Sequence, residues 1–119
     1  EQGKTLKGSK CLVLGAAYKP DIDDIRESKA LDVIGLLQKK GAAVNYHDPY
    51  IPRLRTHDGL ALDSVGDLMA SVQESDCVVI VTNHSQYDYP AILSAASLIF
   101  DTRNALGKLG KGNPKVVRL

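Results

Sequence analysis

With 119 residues, the chain fits one domain that can bury a core without a metal ion or a disulfide. Its 15 basic and 14 acidic residues leave a net charge of +1, which gives no general reason to expect nucleic-acid or membrane binding. No apolar stretch approaches the roughly 18 residues of a membrane-spanning helix. The polar amino-terminal residues carry no signal-peptide core. Because two isolated cysteines are no disulfide framework, we expect a cytoplasmic protein.

Short apolar runs alternate with helical patterns along the chain. Residues 11–14 form a continuous apolar run, as expected for a strand covered on both faces. Ser28 is a candidate N-cap for a helix that Gly41 would end. Residues 43–47 are the second predicted strand, which starts almost directly after that helix. The first strand begins so near the amino terminus that we expect a domain excised from a longer protein.

The second half of the chain continues the alternation. A short strand at 59–62 comes before Ser64 and Asp67, which resemble a capping box that would start the second helix. The remaining predicted strands are residues 76–81, 96–100 and 115–119, with a third helix opening near Pro90.

This order of elements predicts an α/β fold, a three-layer Rossmann-like sandwich with a mainly parallel five-stranded sheet in the order 2-1-3-4-5. Ligands of such sheets bind at the carboxyl ends of the strands, near the point where the order reverses. That point lies between the first and third predicted strands. The loops at 15–27, 82–88 and 101–104 are therefore the candidate site.

Three basic residues are predicted to reach this edge: Lys19, Arg26 and Arg103. Their convergence on a nearly neutral domain suggests an anionic ligand, because arginine can bind a phosphate with two hydrogen bonds. The alternative is that Arg26 pairs with Asp23 or Asp24 while the other two cations are solvated. The residues alone leave both interpretations open.

Other candidate site residues point to structure rather than chemistry. The turn at Gly15 lacks the second and third glycines of a dinucleotide-binding fingerprint. Without those glycines, Asp48, which ends the second strand, is interpreted as a structural turn residue rather than a ribose-binding acid. His84, which ends the third strand, is interpreted as structural, and the alternative is that it contributes a hydrogen bond at the ligand edge. Cys11 and Cys77 lie within apolar runs, so we expect buried side chains rather than reactive thiols. No set of residues has the spacing of a zinc site, so no metal is predicted.

The segment GAAYKPDIDDIRES at residues 15–28 resembles the signature that opens the C-terminal domain of the UDP-glucose/GDP-mannose dehydrogenase family. The segments ALDVI at 30–34, YHDPYIP at 46–52 and DTRN at 101–104 fit the same domain, so the resemblance covers essentially the whole chain. The Tyr-Lys-Pro form is most similar to the branch that oxidises UDP-N-acetylhexosamines.

The resemblance implies that residues 1–119 are the C-terminal nucleotide-sugar-binding domain of a larger NAD-dependent dehydrogenase. Such an enzyme oxidises the sugar C6 hydroxyl to a carboxylate in two hydride transfers. In the family, an N-terminal domain binds NAD and a catalytic cysteine precedes this domain. The resemblance therefore implies no catalytic residue in this fragment and no activity from it alone.

The resemblance also implies roles for individual residues and partners. Tyr18 and Lys19 would contact the UDP-sugar, Arg103 would reach it from the neighbouring loop, and Arg26 would face NAD. The implied partners are the UDP-sugar, the rest of the polypeptide and a second copy in a homodimer.

Two other functional classes fit a domain of this kind. A receiver-type signalling module has the same strand order but needs an acidic pair directly after the first strand and a phosphorylatable Asp ending the third. Here those strands end in GAA and TNH, which argues against a receiver. A non-catalytic α/β ligand-binding or protein-interaction module, with the edge cations facing a protein partner, is the other alternative.

Overall fold

The computed structural model describes residues 8–16, 29–55 and 59–118, which form an α/β sandwich. The strands are β1 (Lys10–Leu14), β2 (Ala43–His47), β3 (Arg53–Arg55), β4 (Ala61–Asp63), β5 (Cys77–Ile80), β6 (Ile99–Asp101) and β7 (Val116–Arg118). The helices are α1 (Lys29–Lys39), α2 (Leu68–Glu74), α3 (Tyr89–Ala95) and a 3-10 helix at Gly107–Gly110.

The main sheet has the order β2-β1-β5-β6-β7, and every neighbouring pair is parallel. The predicted fold and strand order are confirmed, since β5, β6 and β7 are the third, fourth and fifth predicted strands. Leu14 is in register with both His47 and Ile80, so β1, β2 and β5 end at the same level. We call the residues that follow these strand ends and the end of β6 the carboxyl edge: residues 15–16, 48, 82–87 and 102–104.

β1 is buried on both faces, as its continuous apolar run predicts. Leu12 and Leu14 pack with Ile92 of α3 on one face of the sheet. Cys11 and Val13 pack with residues of α1 on the other face. The sheet is therefore the middle of three layers, and the connecting loops lie at the ends of its strands.

Cys11 and Cys77 are register partners on β1 and β5, and they are 1% and 7% exposed. Both side chains lie within the core. The expectation that they are buried small side chains is confirmed.

The capping box predicted at Ser64 is wrong. α2 begins only at Leu68, and Asp67 is its N-cap, accepting a hydrogen bond from Ala70 N at 3.0 Å. Ser64 Oγ instead accepts a hydrogen bond from Asp48 N at 3.0 Å. A tertiary contact with the end of β2 has replaced the local cap that the spacing suggested.

Two boundaries also differ from the sequence-based expectation. The fourth predicted strand starts three residues late, because Ala96 ends α3 by donating its N–H to Ile92 O at 2.9 Å.

The short strand expected at 59–62 is β4, which pairs antiparallel with β3, and the sequence did not predict β3. Leu54 of β3 is fully buried and joins this hairpin to the core beside α1. The predicted N-cap Ser28 lies outside the described residues.

None of the helices described in the structure is long and apolar enough to span a bilayer.

Candidate functional site

The chain leaves β1 through a turn at Gly15, which has a φ of +95°. Gly15 N donates a hydrogen bond to His47 O at 2.9 Å, and Ala16 N donates one to Asp48 Oδ2 at 2.7 Å. Both amide groups are therefore engaged by β2 and its following turn. In a dinucleotide-binding turn such groups face a pyrophosphate. The start of the β1 loop thus does not fit NAD in the way a Rossmann fingerprint does.

The carboxylate of Asp48 connects the loops at the point where the strand order reverses. Besides Ala16 N, its Oδ2 accepts a hydrogen bond from His84 Nε2 at 2.7 Å, and both side chains are fully buried. Its Oδ1 accepts one from Tyr50 N at 2.7 Å, which forms the turn after β2. Asp48 therefore has a structural role, as its sequence context suggested.

Aromatic side chains surround this buried pair. The ring of Tyr50 lies 4.9 Å from that of His84, and the ring of Tyr87 lies 5.8 Å from it, measured between centroids. Tyr89 donates its hydroxyl hydrogen to His84 O at 2.9 Å. These contacts fix the β5–α3 loop against the end of β2.

His47 and Tyr87 form a second polar contact at this edge. The hydroxyl of Tyr87 donates to His47 O at 2.8 Å and lies 3.2 Å from His47 Nδ1. Burial raises the pKa of Tyr87 well above its usual range, and the negative charge of Asp48 raises it further. Burial lowers the pKa of His47, and Asp48 only partly opposes that effect. We expect both side chains to be neutral at physiological pH.

The loop after β6 is held by the buried carboxylate of Asp101. Its Oδ1 accepts hydrogen bonds from Arg103 N at 3.1 Å and Ala105 N at 2.9 Å, and its Oδ2 accepts one from Leu106 N at 3.0 Å. Asn104 takes a positive φ of 53° within the same turn. The turn leaves the side chain of Arg103 exposed at the carboxyl edge.

Of the four predicted site residues, Arg103 is the one that the described ranges include. It follows β6 at the carboxyl edge, as predicted. Tyr18, Lys19 and Arg26 lie outside the described residues, so their convergence with Arg103 stays a prediction. Over residues 8–16, 29–55 and 59–118, no three His, Cys, Asp or Glu side chains are grouped as metal ligands would be.

Sequence reasoning missed the pairing of Asp48 with His84. The two residues are 36 positions apart, and each was interpreted separately. The predicted strand order contained the signal, because β2 and β5 flank β1 and residues that follow these two strands can therefore meet beside the β1 turn. It likewise missed the three backbone contacts of Asp101, although an Asp directly after a strand often organises a turn.

Comparison with known proteins agrees with this geometry. Residues 12–108 match the family described as "UDP-glucose/GDP-mannose dehydrogenase family, UDP binding domain". UDP-glucose 6-dehydrogenase TuaD of Bacillus subtilis (strain 168) is 32% identical over 106 residues, covering 84% of this chain and 23% of that protein. UDP-N-acetyl-D-mannosamine dehydrogenase of Methanococcus vannielii is 32% identical over 105 residues, covering 82% and 23%.

Solved structures show the same relationship. The NDP-N-acetyl-D-galactosaminuronic acid dehydrogenase of Methanosarcina mazei matches with a TM-score of 0.75 and 28% identity, over 99% of this chain and 25% of that one. A UDP-glucose dehydrogenase of Pyrobaculum islandicum matches with a TM-score of 0.70 and 31% identity, over 96% and 25%. The chain spans about a quarter of the length of these relatives. The chain belongs to the UDP-glucose/GDP-mannose dehydrogenase family, and the region that matches is the family's UDP-binding domain.

Proposed function

We propose that this chain is the C-terminal nucleotide-sugar-binding domain of an NAD-dependent UDP-sugar 6-dehydrogenase. The complete enzyme would oxidise the C6 hydroxyl of the sugar to a carboxylate in two hydride transfers. Membership of the family supports this, as do relatives named as UDP-glucose and UDP-N-acetyl-D-mannosamine dehydrogenases. Because relatives with different sugars match about equally well, the proposal names a UDP-sugar without choosing the sugar.

The observation that carries the proposal is the position of Arg103 at the carboxyl edge. Its backbone N–H is held by Asp101, while its side chain is exposed at the same edge of the sheet as the loops at the strand-order reversal. In the described ranges, no carboxylate lies within ion-pair distance of its guanidinium group. An exposed guanidinium on a fixed turn suits a diphosphate, since arginine can bind two phosphate oxygens at once.

The other roles come from the family resemblance. We propose that Tyr18 and Lys19 contact the UDP-sugar and that Arg26 faces NAD. The amide groups of Gly15 and Ala16 are engaged within the protein, which supports a main NAD site elsewhere in the complete enzyme. Cys11 and Cys77 are buried in the sheet, which supports a catalytic cysteine outside this fragment. The fragment alone would then be inactive.

Steady-state kinetics of the full-length enzyme would test the proposal. We expect Arg103→Ala to lower kcat/KM for the UDP-sugar about 10- to 100-fold, because a hydrogen bond to a charged group contributes about 1.5–3 kcal/mol. The exposed Lys39 at the end of α1 provides a control, since it lies before β2 and therefore at the opposite edge of the sheet. Lys39→Ala should leave kcat/KM unchanged.

Calorimetry on this chain separates the proposal from the interaction-module alternative. We expect weak binding of UDP and UDP-sugars, because half of the site would be missing, and no measurable binding of NAD. If neither UDP nor any UDP-sugar bound, and Arg103→Ala matched the Lys39→Ala control in the full enzyme, the proposal would be wrong.

A further inference from the structure

A buried hydrogen-bonded pair sits directly beneath the proposed ligand edge. Asp48 Oδ2 accepts hydrogen bonds from both Ala16 N and His84 Nε2, each at 2.7 Å. Asp48 follows β2, while the other two residues belong to the loops that follow β1 and β5. One carboxylate oxygen therefore joins the three loops that meet where the strand order reverses.

We propose that Asp48 and His84 are positioning residues for the nucleotide-sugar site. This inference rests on the proposed function. The pair fixes the direction in which the backbone leaves β1 at Ala16, and Tyr18 and Lys19 follow only two and three positions later in the sequence. Neither side chain of the pair touches ligand, because both are fully buried. Their effect on binding is transmitted through the backbone of Ala16 and the β5–α3 loop.

The contacts require a carboxylate at position 48, and an amide cannot replace it. Oδ1 accepts from Tyr50 N and Oδ2 accepts from Ala16 N and His84 Nε2, so both oxygens face donors. In Asp48→Asn, the one remaining side-chain oxygen can accept either from Tyr50 N or from Ala16 N and His84 Nε2, but not from both sides. The amide NH2 group then faces at least one backbone N–H, and the turn must open to relieve that contact.

The geometry of the β1 turn makes this displacement matter for a ligand. Gly15 N is tied to His47 O, so a shift of Asp48 cannot be absorbed by the residue before Ala16. The displacement would instead act on the backbone of Ala16, whose N–H is bonded to Asp48 Oδ2. A displacement of about 1 Å in binding groups is enough to weaken ligand contacts greatly.

The test uses the full-length enzyme with variants of both partners. We expect Asp48→Asn and His84→Leu each to raise KM for the UDP-sugar about tenfold, which corresponds to about 1.4 kcal/mol. KM for NAD should stay within twofold of the wild-type value. His84→Gln should keep KM for the UDP-sugar near the wild-type value, because the glutamine Nε2 can donate to Asp48 Oδ2 in place of the imidazole.

A stability control separates positioning from general weakening of the fold. Val72→Ala removes buried methyl groups from the α2 side of the core, away from the carboxyl edge. Val72→Ala should lower the Tm without a change in KM for the UDP-sugar. Thermal unfolding of each variant provides the comparison, and kinetics are measured well below the lowest Tm.

The outcomes distinguish this inference from the proposed function. If Arg103→Ala impairs turnover while Asp48→Asn and His84→Leu keep the wild-type KM, the positioning role is wrong and the proposed function stands. It is also wrong if His84→Gln and Val72→Ala raise KM as much as His84→Leu does. If the wild-type enzyme oxidises no UDP-sugar with NAD, both are wrong. Should Asp48→Asn not fold, the two His84 variants still decide the question.

Discussion

Gly15 and Thr82 lie so close together at the ends of β1 and β5 that a side chain on Gly15 cannot be accommodated. A Cβ built on Gly15 would lie 2.4 Å from Thr82 Cβ and 2.6 Å from Thr82 N. The φ of +95° at Gly15 is also one that other residues rarely adopt. The backbones that leave β1 and β5 are therefore in direct contact at the point where the strand order reverses.

We therefore expect Gly15→Ala to destabilise the protein by about 2–5 kcal/mol, since it adds both backbone strain and overlap with backbone atoms. Urea unfolding monitored by circular dichroism would measure the change. Gly35 in α1 is the matched control, because a Cβ there meets nothing within 4 Å. Gly35→Ala should stabilise the protein by about 0.5–1 kcal/mol. Equal effects at both positions would contradict the role assigned to the Gly15–Thr82 contact.

The turn that carries Arg103 should depend on the carboxylate of Asp101. Asp101→Ala would remove the acceptor for three backbone N–H groups, one of them buried and two partly buried, and the cost of leaving these donors without partners predicts a loss of about 2–4 kcal/mol. Chemical denaturation measures that loss. Asp88→Ala is the control, because Asp88 also accepts a backbone bond, from Ala91 N, but as an exposed N-cap. Its loss should be only about 1 kcal/mol.

The sheet could be predicted from the sequence because its pattern is local. The apolar runs and the turn residues after them indicate the strands, and the preference for right-handed crossovers with short links indicates their order. The start of α2 could not be predicted in this way, since Ser64 bonds to Asp48 through a tertiary contact that its local sequence does not contain.

The candidate site shows the same division between local and long-range information. The position of Arg103 at the carboxyl edge could be predicted, because it lies in the loop after a strand that was itself predictable. The bond between Asp48 and His84 depends on how β2 and β5 are placed around β1, which spacing along the chain does not reveal. Asp101 could be predicted as a loop residue, but the three backbone N–H groups that its carboxylate binds could not.

Stability should depend on pH through His47. Burial lowers the folded-state pKa of His47 below its ordinary value of 6.5, so the unfolded state binds the proton more readily. The contribution of neutral His47 is fully present above pH 6.5 and is lost as the pH falls through the folded-state pKa. We expect the Tm of the wild type to drop more steeply than that of His47→Gln between pH 7.5 and 5. Parallel Tm profiles for the two proteins would show that His47 does not carry this dependence.

The raised pKa of Tyr46 predicts that stability falls at alkaline pH, opposite in direction to the effect of His47. Its side chain is fully buried, and its hydroxyl donates to Ile51 O at 2.8 Å. Burial, and then the nearby charge of Asp48, raise its pKa from 10.0 to about 12. Since the folded-state pKa is the higher one, its contribution to stability is fully present below pH 10 and is lost as the pH rises through about 12.

Tyr46→Phe separates this ionisation from the hydrogen bond. At pH 7 we expect the variant to lose about 1–3 kcal/mol, because Ile51 O is left buried without its donor. Between pH 9 and 11 the stability of the wild type should fall towards that of the variant, since phenylalanine has no proton to lose. Urea unfolding at each pH measures both effects, and the difference in stability between the two proteins is the relevant quantity. A difference that stays constant over this range would mean that Tyr46 ionises as readily in the folded protein as in the unfolded chain.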